Sequence, residues 1–60
     1  MITDRSKLDA VEREIKFRER VYGRQVTANK MTQAWADYQI KIFEEIAADY
    51  RAKVEGEKLL

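Results

Sequence analysis

The helical repeat of apolar residues in this sequence breaks only once, at Ala28-Asn29-Lys30-Met31-Thr32, near the middle of the chain. The stretches on either side are similar in length and patterned as helices, so the chain must fold back on itself there. Asn29 is one of the few residues that tolerates the left-handed conformation that closes a helix. Thr32 suits the next N-cap, because its hydroxyl can accept from a backbone N–H of the first turn. Met31 and Ala36 stand at the spacing of a hydrophobic staple. The five residues read as one corner between two helices.

The first helix is expected over about residues 6–27. Ser6, with Asp9 three positions on, reads as a capping box that opens it. Leu8, Val11, Ile15, Tyr22 and Val26 fall on one face at 100° per residue, and that face is the candidate core. Arg18 and Glu19 stand where the stripe would otherwise continue, and their stems can cover apolar surface while their heads stay wet. Gly23 costs about 1 kcal/mol relative to Ala inside a helix, so a kink is expected near residue 23, with Val26 still in phase. On the outer surface, Asp9 with Arg13, Glu12 with Lys16 and Glu14 with Arg18 have the acid-first spacing of helical ion pairs.

The second helix is expected over about residues 33–53. Ala36, Ile40, Phe43, Ala47, Tyr50 and Val54 form its central stripe, and Trp35, Ile42 and Ile46 widen it to about 160°, more than one partner helix covers. Asp37, Lys41, Glu44, Ala48, Arg51 and Glu55 occupy the opposite side and read as solvated surface. Gly56 is expected to stop the pattern and leave 54–60 as a frayed tail.

These readings give an all-α fold, an antiparallel helical hairpin forming a single domain over residues 1–60. Folding about the corner pairs positions whose numbers sum to about 61, so apolar meets apolar at nearly every level. At the one exception Arg18 and Glu19 face Phe43, which is expected to seek cover from a second chain. Sixty residues make a thin core, and small chains usually add disulfides, a metal or self-association. Cys and His are both absent, which leaves self-association. Residues 1–30 carry eight Lys/Arg and five Asp/Glu (+3), residues 31–60 four and six (−2), and this asymmetry favours antiparallel pairing of unlike halves. A homodimer forming a four-helix bundle is the expected assembly.

The candidate interface is Phe17, Val21, Trp35, Ile42, Phe43 and Ile46. Phe17 and Val21 lie beside the core arc, one helical turn apart, in the manner of a contact patch. Tyr38 lies farthest outside the apolar arc of its helix. A second candidate surface is Arg13, Lys16, Arg20 and Arg24, four cations within about 80° on the outer face of helix one, which could track a phosphate backbone. The pattern is not a helix-turn-helix, since the two helices are too long and too nearly antiparallel. Ser6 has no His or Cys to activate it. Glu44, Glu45 and Asp49 lie on a solvated face with no His and no enclosing pocket to support acid–base catalysis. No catalytic, cofactor or metal site is therefore expected. No apolar run reaches the ~18 residues of a membrane span, and the N-terminus lacks a signal-peptide core, so a cytoplasmic protein without membrane association is expected.

Four segments, Lys7-Leu8-Asp9-Ala10-Val11-Glu12-Arg13-Glu14, Arg18 to Tyr22, Lys30-Met31-Thr32-Gln33-Ala34 and Ile46-Ala47-Ala48-Asp49-Tyr50, together resemble a family of short uncharacterised proteins encoded by bacteriophages and prophages. The similarity covers about residues 7–51. Members of that family often carry Pro where this chain has Gly23 and Ser-Gly where it has Asn29, in keeping with a kink and a left-handed turn. The resemblance implies a bacterial host cytoplasm and no particular activity. Lys30-Met31-Thr32 and the helix after it are also similar, over about fifteen residues, to the short C-terminal oligomerisation domains called SHOCT. That likeness implies an interaction role.

Overall fold

A computed structural model describes residues 1–58 of the chain. It contains two helices, α1 over Asp4–Thr27 and α2 over Gln33–Lys58, packed against each other along their length as an antiparallel hairpin. The expected all-α hairpin is the fold.

The corner forms as its residues dictate. Asn29 adopts φ 59°, the one positive φ among the described non-glycine residues. The Lys30 N–H donates to the Gln25 carbonyl at 2.8 Å and the Asn29 N–H to the Val26 carbonyl at 3.1 Å. These are the two reversed bonds of a Schellman motif, and they satisfy carbonyls that the helix end would otherwise leave open. Thr32 then caps α2, its Oγ1 accepting from the Trp35 N–H at 3.1 Å.

Three sequence expectations bear on the bounds of the helices. The cap of α1 is Thr3, not Ser6. The Thr3 hydroxyl accepts from the Ser6 N–H at 3.1 Å, and the Ser6 Oγ accepts from the Thr3 N–H at 2.8 Å. This is a capping box in which a serine hydroxyl does what Glu or Gln usually does, and it opens the helix at Asp4, whose charge favours a helix N-terminus. Second, α1 does not stop at Gly23, the residue near which a kink is expected, but continues as helix to Thr27. The Thr27 hydroxyl donates to the Gly23 carbonyl at 3.0 Å, and α2 supports the last turns through half-buried Tyr22 and Val26. Third, α2 continues through Gly56 to Lys58. Val54 is buried with Leu8 and Ala47, and burying a Val contributes about 1.5–3 kcal/mol, more than a helical glycine costs. Of the expected frayed tail, residues 54–58 are therefore helical, and 59–60 lie outside the described residues.

The core is as thin as the length requires. Among the described residues only Leu8, Ala36, Ala47 and Val54 are buried, and Val11, Ile15 and Tyr50 pack against the cluster of Leu8, Ala47 and Val54. The fold is one layer of helices, 48 × 20 × 11 Å. Its radius of gyration is 14.1 Å, against about 10 Å for a compact domain of this length. It exposes 4880 Å², where a compact monomer of this size would expose about 4100 Å².

Neither glycine is required by packing, since a Cβ at Gly23 would meet nothing within 4 Å. Gly23→Ala is expected to stabilise the chain by about 1 kcal/mol through helix propensity and a less flexible unfolded state. Urea denaturation would show this as a higher midpoint with an unchanged slope, and a lower midpoint would mean that α1 needs the glycine.

Candidate functional site

The contacts across the layer distinguish its two broad faces. On one, the Arg18 guanidinium lies over the Phe43 ring, 4.4 Å from its centroid, and the Lys7 ammonium lies 5.6 Å from the centroid of Tyr50. On the other, Arg51 pairs with Glu12 across the helices at 3.5 Å. At 100° per residue, Val21 on α1 and Trp35, Ile42 and Ile46 on α2 project from the Arg18–Phe43 face, with Phe17 at its outer rim. The face over Glu12 and Arg51 is charged with both signs, Lys16, Glu19 and Glu44 flanking the groove above Ile15 and Ala47.

The residues expected at an interface thus share one side of the layer. Phe17 is 52% exposed, Trp35 53% and Ile46 36%, while Val21, Ile42 and Phe43 are half-buried. Tyr38, 60% exposed, stands at the far edge of α2, its ring centroid 6.5 Å from that of Trp35.

Phe43 is where the sequence reading needs amendment. Expected to lack a partner within the chain, it is covered by Arg18, the residue that seemed to interrupt the stripe. Three groups fix that guanidinium. It stacks on Phe43, it donates from Nη1 to the Tyr22 hydroxyl at 2.8 Å, and its Nε lies 2.9 Å from Glu14 Oε1. The last contact is charge attraction without hydrogen-bond alignment, so the shielded Nε has no hydrogen-bond partner. The Tyr22 hydrogen bond, above all, raises the Arg18 pKa beyond its ordinary value, desolvation opposes it, and Glu14 adds a smaller upward push. A cation with a raised pKa loses its contribution only as pH climbs through that value, so the contact is intact at every physiological pH.

Arg18→Lys tests this arrangement. Lysine keeps the charge but has neither the planar stacking surface nor the fork that reaches Tyr22 and Glu14 together. The hairpin is expected to unfold at a lower urea midpoint, and an unchanged midpoint would reduce Arg18 to a surface charge.

The basic residues form the second candidate site. Arg13, Lys16, Arg20 and Arg24 are all exposed on α1, along the edge away from α2. Of the expected ion pairs only Glu14–Arg18 forms. Asp9 pairs with Arg5 at 3.5 Å instead of Arg13, and Glu12 reaches across to Arg51 instead of Lys16. The four cations make no ion pair within 4.0 Å among the described residues.

The described residues contain no group of three or more His, Cys, Asp or Glu placed to hold a metal ion, and no helix long and apolar enough to cross a membrane. The chain matches no family model, no curated protein and no solved structure.

Proposed function

We propose that this protein is a small non-enzymatic interaction module that self-associates, two hairpins stacking through their apolar faces as an antiparallel homodimer with a four-helix core. The observation that carries this reading is the gathering of Val21, Trp35, Ile42 and Ile46, with Phe17 at the rim, on one broad face of a layer a single helix thick. The broad side of the layer measures 48 × 20 Å, large enough to hold the ~800 Å² per partner that a stable interface buries. The layer also exposes more surface than a compact monomer would, as an incomplete core does.

Arg18 lies within the proposed interface and is compatible with burial there, since Glu14 and Phe43 already accompany its charge. A buried charge left without such partners would cost several kcal/mol. The segments resembling bacteriophage and prophage proteins give the proposal its setting, an accessory protein in a bacterial host cell. They do not identify a mechanism.

Sedimentation equilibrium over a wide concentration range tests the reading. A dimer mass that persists to micromolar concentration or below supports it. A monomer throughout would overturn it and make the same face the docking site of another protein.

A further inference from the structure

We infer that the outer edge of α1 is a binding site for the phosphate backbone of a nucleic acid, engaged without regard to base sequence. The inference stands on the single hairpin and does not depend on dimerisation.

The row Arg13, Lys16, Arg20, Arg24 advances by three, four and four residues, so successive side chains lie one turn apart. It runs about 16 Å at 1.5 Å per residue, the axial length over which one strand of a duplex presents about five phosphates. Two further features make it a site and not ordinary charged surface. Three of the four acids nearest it are engaged elsewhere, Asp9 by Arg5, Glu12 by Arg51 and Glu14 by Arg18, and the fourth, Glu19, makes no ion pair with the row within 4.0 Å. The row also lies opposite the helix–helix contact, so nothing in the fold obstructs a long rod-like ligand laid along it. The net charge of +1 is no objection, because phosphate contact depends on local charge over roughly one Debye length.

The geometry favours a nucleic acid over an anionic membrane. A helix lying on a bilayer buries an apolar face with its cations flanking that face. Here the broad apolar face of the layer and the basic row point about 120° apart around α1, with only Phe17 at the rim standing beside the row, so a bilayer laid flat on that face leaves the row in water. Face-to-face dimerisation would leave both rows at outer corners of the bundle, where each could take a strand.

The test is fluorescence-anisotropy titration of the full chain with a labelled duplex and a labelled single strand of mixed sequence, at several salt concentrations. Four phosphate contacts predict a slope of log K on log salt between about −3 and −4 for the duplex, a loss of roughly 100-fold from 50 to 200 mM. Arg13→Glu with Arg20→Glu is expected to weaken binding at least 10-fold and to reduce the slope by about 2. Both positions are exposed, and circular dichroism verifies that the variant remains helical. Lys41→Glu with Lys53→Glu makes the same change in net charge on α2 and is expected to bind nearly as the parent does. Absence of binding at low salt, equal loss in the two double variants, or displacement of the nucleic acid by vesicles rich in anionic lipid would each overturn the assignment.

Discussion

The Phe17→Glu, Ile46→Glu double variant is expected to sediment as a folded monomer at concentrations where the parent chain is a dimer. Both side chains are exposed in the single hairpin, at 52% and 36%, so two glutamates can stay solvated there without disturbing the helix–helix contact. In the proposed dimer the partner copy would cover Ile46 and the rim at Phe17, so the variant would place four carboxylates at or beside the contact. Full burial of such a side chain contributes about 1.5–3 kcal/mol. At roughly half that for partly exposed positions, the dimer loses about 4 kcal/mol, a rise in dissociation constant on the order of 1000-fold. Sedimentation equilibrium reads the change directly, and circular dichroism on the same samples verifies that helicity is kept. Unaltered association in a folded variant would show that the copies meet elsewhere.

Leu8→Ala is expected to be the most damaging conservative truncation in the chain. Leu8 is 3% exposed and packs with Ala47, at 2%, and Val54 in the one buried cluster among the described residues. Leu→Ala in a core costs 2–5 kcal/mol, depending on how far the surroundings collapse. The site lies one turn into α1 and near the end of α2, where the backbone can relax, so the lower half of that range applies, about 2–3 kcal/mol. A 60-residue domain has a total stability of roughly 3–9 kcal/mol, so this one truncation removes a large share of it. The comparison requires matched protein concentration, because association adds to apparent stability by mass action. Val54→Ala should show the same effect at about half the size, having fewer atoms to lose. A change below about 1 kcal/mol on Leu8→Ala would mean that the ends of the layer fray and that the fold is held nearer the corner.

Much of the hairpin is readable in advance because its signals are local. Asn29 lies in the left-handed region and Thr32 caps α2 because each answers to the backbone within a few residues of itself. Stripes of period 3.6 identify which faces meet, and the short corner between the helices makes their arrangement antiparallel. The errors at the helix ends have a different origin. Ser6 has the residue type of a cap, but a hydroxyl serves equally well at the N3 position once Thr3 is available upstream. Thr3-x-x-Ser6 is a signal that a rule written around Glu or Gln passes over. Gly56 has a low helix propensity, which decides the matter in an isolated peptide. In the folded chain Val54, two residues earlier, is anchored on Leu8, some 46 positions away in sequence, and tertiary burial outweighs a cost of about 1 kcal/mol.

The two candidate surfaces divide in the same way. The membership of each patch follows from helical angles alone, which is why Phe17, Val21, Trp35, Ile42 and Ile46, and likewise Arg13, Lys16, Arg20 and Arg24, can be named from the sequence. Their relation in space cannot. That the apolar residues of both helices share one face depends on the rotation of α1 against α2, set by the packing of Leu8, Ile15 and Ala47. The pairing of the acids is a tertiary matter too. Glu12 is four residues from Lys16 but finds Arg51 on the other helix, and Asp9 turns back to Arg5, leaving the basic row without an ion pair among the described residues.

By itself, then, the sequence determined two helices, one corner and the composition of each helical face, because propensity, capping and periodicity act over one to two turns. Only the tertiary structure decided which charges meet, that Arg18 covers Phe43, and which way the apolar and basic surfaces point. Those outcomes depend on the rotation and register of one helix against the other, fixed by the fit of a few small side chains in a thin core.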